Sequence, residues 1–200
     1  MVKLLEMQGI RDSGVLAAMG AVERHLFIPR FYRFKQLVDP YGDYPLPIGH
    51  GQTISQPFVV AYMLEKMKLN VGERVLEIGT GSGYAAAVLD EMGVEVFTIE
   101  IVAELARHAG KVLNSRVHRQ LGDGYSGWKE NAPFDAIIIS CAPEEIPVIL
   151  VDQLTKNGRM ILPVGKFAQR LVIMKKSDGR IQLKEDIPVR FVPMVHGDKT

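Results

Sequence analysis

The chain has 200 residues, 47% of them hydrophobic and 24% charged, which is enough for one domain with a full core. Its 24 lysines and arginines against 23 aspartates and glutamates leave a net charge of +1, which excludes a global basic field for binding nucleic acid or an anionic membrane. The single cysteine, Cys141, excludes an internal disulfide and a multi-thiolate metal site. We therefore expect one cytoplasmic domain, residues 1–200, that holds no metal.

The hydropathy pattern predicts neither a membrane span nor a signal peptide. Apolar runs are short: residues 136–139 are preceded by Asp135, and no run approaches the ~20 apolar residues that a membrane-spanning helix needs. Charged side chains near the start of the chain exclude the apolar core of a signal peptide. These are Lys3, Glu6, Arg11 and Asp12. We expect no contact with a membrane and, since the charges balance, no nucleic-acid partner.

Residues 1–70 are predicted to form an N-terminal extension of helices and loops. Apolar side chains recur at helical spacing and predict a helix over 15–26. They are Val15, Leu16, Met19, Val22 and Leu26. Proline, glycine and aspartate are frequent over 40–51, which predicts a long connection without regular structure, and such connections are often functional. A second helix is predicted to begin near Pro57, because proline fits the first helical turn. Residues 1–14 and 197–200 predict no element.

From residue 71 to residue 200 the pattern alternates between strands and helices. Strands are predicted over 75–78, 94–100, 117–121, 136–140, 160–162, 171–174 and 189–192, and helices over 84–92 and 101–113. This alternation favours an α/β fold whose central sheet is mostly parallel and carries helices on both faces. The last stretch has no helical period and contains a turn signal, SDG at 177–179. The sheet is therefore predicted to end in antiparallel strands.

The most informative segment is LEIGTGSGY at residues 76–84, where a predicted strand enters a glycine loop that opens a predicted helix. Such a loop brings a ligand against backbone N–H groups. The spacing is G-x-G-x-G, with Tyr84 in the place of the third glycine of a dinucleotide fingerprint, and the sequence has no G-x-x-x-x-G-K-[ST] motif. Binding of a pyrophosphate or of a nucleoside triphosphate at this loop is therefore excluded.

Acidic residues around the glycine loop favour a phosphate-free ligand that carries positive charge. Glu77 precedes the loop, where it would repel phosphates and attract a cationic amine. Glu100 ends the second strand, 21 residues after Gly79, the usual place of a carboxylate that accepts from both ribose hydroxyls. Asp123, after the third strand, is predicted to approach the adenine edge. A nucleoside of this kind is S-adenosyl-L-methionine. Its predicted binding residues are Glu77, Gly79, Thr80, Gly81, Ser82, Gly83, Glu100, Gly122, Asp123 and Gly124.

The segment GHGQTISQP at 49–57 allows two interpretations from the residues alone. Ser55, just ahead of Pro57, fits the N-cap of the second helix, an interaction that contributes ~1 kcal/mol. A hydrolase would instead use Ser55 as nucleophile and His50 as base, but no G-x-S-x-G elbow surrounds Ser55 or Ser82. The local sequence favours the N-cap.

Together, GQTISQP at 51–57 and LEIGTGSGY at 76–84 resemble the protein-L-isoaspartate O-methyltransferase family. Further matches are VER at 22–24 with Phe27, DYPLPIG at 43–49, GDG at 122–124, NGR at 157–159, PVG at 163–165, Gln169 and FVP at 191–193. The resemblance spans about residues 15–195. Many methyltransferases share the glycine motif, whereas the QTISQP string is far more specific. Phe58, where the family has Tyr or His, and Asn157, where it often has Gly, depart from the pattern and would alter packing near the peptide groove.

The resemblance implies a Rossmann-like S-adenosyl-L-methionine-dependent methyltransferase fold, with the substrate side in residues 1–70 and the cofactor-binding core in 71–200. It implies transfer of the sulfonium methyl group to the free α-carboxylate of L-isoaspartyl residues in damaged proteins and peptides. The product is S-adenosyl-L-homocysteine, and repair continues through a succinimide. A carboxylate with a pKa of about 4 is ionised at pH 7 and needs no general base, which removes the argument for His50. Positioning is then the main task, and we expect a monomer.

The resemblance also assigns Ser55 to the active site as its catalytic residue. We expect the Ser55 hydroxyl to donate a hydrogen bond that orients the substrate carboxylate. The residues expected to bind the substrate peptide are Thr53, Ile54, Gln56, Pro57, Pro163, Val164, Gly165 and Gln169. Two alternatives stay open: another carboxyl or small-molecule methyltransferase on the same core, and a catalytically silent module that binds S-adenosyl-L-methionine. The Ser55 motif argues against both.

Overall fold

The computed structural model describes residues 1–31, 39–178 and 180–197. Its N-terminal part begins with helix α1 (Val2–Met7) and helix α2 (Ser13–Ala21). Asp12 caps α2, because its carboxylate accepts a 3.0 Å hydrogen bond from the Val15 N–H. A 3₁₀ turn over Arg24–Phe27 follows α2.

The helix predicted over 15–26 is therefore divided. Val22 has extended backbone (φ −78°, ψ 115°), so α2 ends at Ala21 although Val15, Met19 and Phe27 are all buried in one cluster. The sequence predicts no element over 1–14, where α1 lies. Helix α1 has six residues, with Leu5 as its buried side chain, and is too short to show a helical period.

A two-stranded hairpin corrects the prediction of a connection without regular structure over 40–51. Strands β1 (Leu46–Gly49) and β2 (Gln52–Ile54) pair antiparallel, with Leu46 opposite Ile54. The hairpin escapes prediction because β1 has four residues, one of them a proline, and proline is a weak strand former. Helix α3 (Pro57–Met67) begins at Pro57, as predicted.

A seven-stranded sheet lies at the centre of the described chain. Its strands are β3 (Arg74–Ile78), β4 (Glu95–Glu100), β5 (His118–Leu121), β6 (Phe134–Ile139), β7 (Leu154–Val164), β8 (Gln169–Ser177) and β9 (Arg180–Val189). Their order across the sheet is β5-β4-β3-β6-β7-β8-β9. Neighbouring strands among β3 to β7 are parallel, whereas β8 pairs antiparallel with both β7 and β9. The prediction of a Rossmann-like, mostly parallel α/β sheet that ends in antiparallel strands is confirmed.

Helices cover both faces of this sheet. Helix α4 (Tyr84–Glu91) follows β3, α5 (Ala103–Val112) follows β4, and α6 (Val148–Asp152) precedes β7. Successive side chains of a strand point to opposite faces. Val75 of β3 therefore packs with buried residues of α1 to α5, and its neighbour Leu76 packs with those of α6. Burying a side chain of this size contributes ~1.5–3 kcal/mol, so the face that carries Val75 holds the N-terminal extension against the sheet, and the opposite face holds α6.

The C-terminal strand differs from its prediction. Val189 is the only residue of the predicted strand 189–192 that lies in a strand of the described chain, because β9 covers Arg180–Val189. Most side chains of β9 are exposed, so the sequence carries little apolar alternation there. The predicted turn at 177–179 includes Gly179, which lies outside the described residues.

After β9 the chain crosses back to the end of β6. Ala142 makes two backbone hydrogen bonds with this segment. Its N–H donates to the Val192 carbonyl and its carbonyl accepts from the Met194 N–H, both at 2.8 Å. No helix within the described ranges is long and apolar enough to cross a membrane.

Candidate active site

An open cavity, of about 1090 Å³ when the solvent at its mouth is included, lies where β3 and β4 end. Strand β3 is also the point where the sheet order reverses, with β4 on one side and β6 on the other, and ligands of open α/β sheets bind at such a point. The walls include residues 52–55 of the QTISQP segment, the glycine loop at 78–82, and the C-terminal segment 191–195. The fold thus brings both motifs of the sequence to one cavity.

The glycine loop turns sharply from β3 into α4. Gly79 and Gly81 have φ of +91° and +53°, a left-handed conformation that side chains with a Cβ rarely adopt. The Gly79 N–H donates a 2.9 Å hydrogen bond to the Ile99 carbonyl of β4, which holds the loop against the neighbouring strand. Residues 79–82 all line the cavity.

Glu100 fixes the far side of this loop. One of its carboxylate oxygens, Oε2, accepts from the Gly81 N–H at 2.7 Å. The other, Oε1, accepts from the N–H groups of Ile101 and Val102 at 3.0 and 2.9 Å. Glu100 lines the cavity, and since each carboxylate oxygen has two lone pairs, it retains capacity for a ligand hydroxyl. Its predicted contact with ribose stays a prediction.

Glu77 is the most unusual group in the cavity wall. Its side chain is fully buried, and Oε2 accepts a 2.6 Å hydrogen bond from Thr98 Oγ1. The other oxygen, Oε1, has no hydrogen-bond partner among the described residues. Burial, reinforced by the nearby Glu100 carboxylate, raises the pKa of Glu77 to about 8. A cationic group placed beside Oε1 would satisfy this oxygen and favour the ionised form, so the wall fits the amine of S-adenosyl-L-methionine.

A chain of hydroxyl groups extends from Glu77 to the glycine loop. Thr80 Oγ1 lies 2.6 Å from Thr98 Oγ1. Because Thr98 donates to Glu77, Thr80 donates to Thr98. Thr98 is not among the residues predicted from the sequence, although its spacing is a signal: Thr98 is two residues from Glu100, so both point to the same face of β4.

The QTISQP segment presents Thr53, Ile54 and Ser55 to the cavity. The prediction that Ser55 is the N-cap of the following helix is wrong, because Gln56 occupies that position, and the Gln56 side chain makes no capping hydrogen bond. The Ser55 side chain is half-buried and lines the same cavity as the glycine loop. Gln56 and Pro57 lie behind it: Gln56 bonds to Asp43, and Pro57 begins α3.

Some of the residues predicted to bind the cofactor do not line the cavity. Gly83 is the N-cap of α4, and Gly122 and Asp123 are outside the lining, whereas Gly124 is part of it. The Asp123 carboxylate caps a 3₁₀ turn by accepting from the Tyr125 N–H at 2.8 Å. It also contacts His196 Nδ1 at 3.3 Å. Its approach to an adenine edge stays a prediction.

The second group of predicted substrate residues also lies outside the lining. Pro163 and Val164 pair with β8, and the Gly165 N–H donates to the Pro143 carbonyl at 3.0 Å. The Gln169 amide accepts from the Phe191 N–H at 2.6 Å and donates to the Phe191 carbonyl at 3.0 Å. Gln169 therefore holds the start of segment 191–195, a part of the cavity wall that the sequence does not predict.

Cys141 also lines the cavity. Burial raises the pKa of its thiol to about 12, so it stays protonated and is a poor nucleophile. His50, the base of the hydrolase alternative, is exposed in the β1–β2 turn and is outside the lining of the described cavity. The arrangement therefore favours binding and positioning over nucleophilic attack by the protein.

Comparison with known proteins gives a consistent result over the whole chain. The family model described as Protein-L-isoaspartate(D-aspartate) O-methyltransferase (PCMT) matches residues 1–199. A protein-L-isoaspartate O-methyltransferase from Gloeobacter violaceus is 52% identical over 196 residues, which cover 95% of this chain and 94% of that protein. A protein of the same name from Opitutus terrae is 50% identical over 190 residues, covering 92% and 80%.

A solved structure is similar to the whole fold. It is a protein-L-isoaspartate O-methyltransferase from Plasmodium falciparum in complex with S-adenosyl-L-homocysteine. The TM-score is 0.85 at 28% sequence identity, and the match covers 98% of this chain and 97% of that one. The N-terminal extension, the sheet and the C-terminal segment are all included in a match of this extent.

Proposed function

Because the chain belongs to the protein-L-isoaspartate(D-aspartate) O-methyltransferase family, we propose that its reaction takes place in the cavity between Ser55 and the glycine loop. The enzyme transfers the methyl group of S-adenosyl-L-methionine to the free α-carboxylate of L-isoaspartyl residues in damaged proteins and peptides. The ester then cyclises to a succinimide, which begins repair. The observation that carries the assignment of the site is the meeting of the QTISQP segment and the glycine loop in one cavity.

The cofactor side of the cavity consists of the glycine loop and two carboxylates. The glycine loop at 79–82, Glu100 and the unpartnered oxygen of Glu77 are the groups that would hold S-adenosyl-L-methionine. The cofactor supplies the sulfonium methyl group. Glu77 provides a counter-charge for its amine, and Glu100 keeps the loop in its left-handed conformation through Gly81.

Ser55 acts on the acceptor side. Its hydroxyl donates a hydrogen bond to one oxygen of the substrate carboxylate and leaves the other oxygen directed at the methyl group. Thr53 and Ile54 form the adjoining wall. No proton has to leave the carboxylate, which is ionised at pH 7, so the protein needs no general base. Orientation of the carboxylate and the methyl group in the cavity supplies the acceleration.

The remaining expectations concern the setting of the enzyme. A monomeric state, a cytoplasmic location, and the absence of nucleic-acid and membrane partners stay predictions. So do the contacts of the substrate peptide with Gln56, Pro57, Gln169 and residues 163–165. The near-neutral net charge of +1 supports an acceptor that is recognised by its isoaspartyl group rather than by long-range attraction.

The proposed function is tested with two synthetic peptides that differ only in Asp against isoAsp at one position. Each is incubated with the purified chain and S-adenosyl-L-methionine labelled in the methyl group. We expect base-labile label on the isoAsp peptide alone. Label on small carboxylic acids instead would favour another methyltransferase, and ligand binding without label on any acceptor would favour a silent binding module.

A further inference from the structure

Asp43 is a shared acceptor for three separate parts of the N-terminal extension. Its Oδ2 accepts from Gln8 Nε2 at 2.6 Å and from Gln56 Nε2 at 2.9 Å. Its Oδ1 accepts from the Phe58 N–H at 2.9 Å. The loop before β1 is thereby joined to the residue after α1 and to both sides of Pro57.

Two of these bonds flank the segment that carries Ser55. Gln56 follows Ser55 directly, and Phe58 is the second residue of α3, where a backbone N–H has no partner within the helix. No side chain of the helix's own N-cap residue satisfies that end. Asp43 therefore fixes the start of α3, and with it the path of Ser55 between β2 and α3.

The loop that carries Asp43 is itself attached to the cofactor side. Arg24 is fully buried, and its Nε donates a 2.9 Å hydrogen bond to the Pro40 carbonyl. The Arg24 guanidinium carbon lies 4.9 Å from the ring centroid of Tyr84, the first residue of α4 after the glycine loop. Asp43 thus lies in a continuous path of contacts from the glycine loop to the Ser55 segment.

We propose that Asp43 is a positioning residue for methyl transfer, which holds Ser55 at the distance and angle from the glycine loop that the substrate carboxylate requires. This inference rests on the proposed function of Ser55. Asp43 is not among the residues that line the described cavity, so its effect on turnover passes through the QTISQP segment.

The central variant is Asp43→Ala, which removes all three hydrogen bonds. We expect kcat/KM for the isoAsp peptide to fall about 10- to 100-fold, since small displacements at a reacting group have effects of this size. The affinity for S-adenosyl-L-homocysteine should stay within about twofold, because the glycine loop keeps its own hydrogen bonds. Asp43→Asn should recover most of the activity: one oxygen still accepts from the Phe58 N–H, and the Gln56 and Gln8 amides can turn to accept from the new NH₂ group.

A matched control lies in the same loop. Asp39 is an exposed carboxylate whose Oδ1 accepts from the Tyr41 N–H at 2.9 Å, a bond that stays within the loop. Asp39→Ala should keep wild-type kcat and KM. If Asp43→Ala behaves like Asp39→Ala in turnover, the proposal is overturned.

A double-mutant cycle with Ser55→Ala separates positioning from general destabilisation. If Asp43 acts through Ser55, Asp43→Ala should change kcat/KM by less than about twofold in the Ser55→Ala background. A loss of equal size in both backgrounds would overturn the proposal, as would a Ser55→Ala enzyme with wild-type turnover. If Asp43→Ala does not fold at the assay temperature, the same cycle is run with Asp43→Asn. Its smaller loss of kcat/KM should then be absent in the Ser55→Ala background.

Hydrogen exchange distinguishes failure of this inference from failure of the proposed function. If the wild-type chain does not methylate the isoAsp peptide, the assigned reaction is wrong, and exchange at residues 50–58 still tests Asp43. Asp43→Ala should speed exchange of the Phe58 N–H and its neighbours at least about tenfold, whereas Asp39→Ala should not. Unchanged exchange in Asp43→Ala would contradict the proposal without any reference to activity.

Discussion

Glu77 and Thr98 face each other across strands β3 and β4, and the Thr98 hydroxyl donates a 2.6 Å hydrogen bond to the buried Glu77 carboxylate. The second Glu77 oxygen is unpartnered within the described chain, and burial raises the pKa of this group to about 8. Without a cation beside it, Glu77 is therefore mainly protonated at pH 7, and a bound ammonium group would favour its ionisation. The change between the protonated and the ionised form of Glu77 leads to two predictions.

The first concerns the pH dependence of stability in the ligand-free protein. The pKa of Glu77 rises from 4.5 to about 8 on folding, so the folded chain retains a proton that the unfolded chain releases. The contribution of Glu77 to the free energy of unfolding is fully present below pH 4.5. It decreases by up to ~1.4 kcal/mol per pH unit as the pH rises toward 8. Glu77→Gln, which stays neutral, should remove this slope in urea unfolding series at pH 5 to 8.

The matched control for this series is Glu130→Gln, which alters an exposed carboxylate in a 3₁₀ turn. It should leave the slope of the wild-type protein in place. If Glu77→Gln and Glu130→Gln give the same pH dependence as the wild type, Glu77 is ionised throughout and the assignment of its protonation state is wrong.

The second prediction concerns ligand affinity. An ionised Glu77 beside the amine of S-adenosyl-L-homocysteine makes a charge-assisted hydrogen bond, worth about 1.5–3 kcal/mol. Glu77→Gln should therefore weaken binding at least about tenfold, as measured by isothermal titration calorimetry at pH 7.5. Equal affinity of the wild type and Glu77→Gln would place the amine elsewhere in the cavity.

A third prediction separates the two sides of the cavity. Ser55→Ala removes the hydroxyl that orients the substrate carboxylate, so kcat/KM for the isoAsp peptide should fall about tenfold or more, in line with the loss of one hydrogen bond to a charged group. The affinity for S-adenosyl-L-homocysteine, read from the same calorimetry, should not change. An enzyme with Ser55→Ala and full turnover would remove Ser55 from the mechanism.

A fourth prediction concerns the carboxylate that holds the glycine loop. Glu100 accepts three backbone hydrogen bonds, from residues 81, 101 and 102. Glu100→Gln replaces one accepting oxygen by an NH₂ group and should lower the free energy of unfolding by about 1–3 kcal/mol. It should also weaken S-adenosyl-L-homocysteine binding, because Gly81 is released.

Glu95→Gln is the comparison for Glu100, since Glu95 begins the same strand in an exposed ion pair with Arg74. Exposed pairs contribute about 0–1 kcal/mol, so chemical denaturation of Glu95→Gln should differ little from that of the wild type. A Glu100→Gln protein as stable as Glu95→Gln would show that the loop does not depend on this carboxylate.

The sequence predicts the parallel core well because its signals there are local. Buried runs such as residues 75–78 and 136–139 lie between glycine and turn signals, and the amphipathic period of α5 is clear. Strand β9 is displaced because pairing with β8, rather than apolar alternation, forms it, and hairpin β1–β2 is missed because its strands are short and β1 contains a proline. Most side chains of β9 are exposed, so its hydrogen-bonded register with β8 is a tertiary property.

The residues of the candidate site also divide into those that the sequence locates and those that it does not. Ser55, Glu77 and Glu100 lie in strings specific enough to locate from the sequence, and the fold places all three around one cavity. The bonds made by Asp43 and Gln169 join residues 13 and 22 positions apart along the chain. Such long-range hydrogen bonds leave no periodic trace, so the sequence cannot show that these side chains hold other segments in place.

The most direct test of the account is a crystal structure of the wild-type enzyme with S-adenosyl-L-homocysteine and an isoAsp peptide. We expect the ligand amine within hydrogen-bond distance of Glu77 Oε1, and the isoaspartyl α-carboxylate within hydrogen-bond distance of Ser55 Oγ, with one carboxylate oxygen directed at the cofactor sulfur. A ligand bound away from the glycine loop, or a carboxylate held by groups other than Ser55, would contradict it.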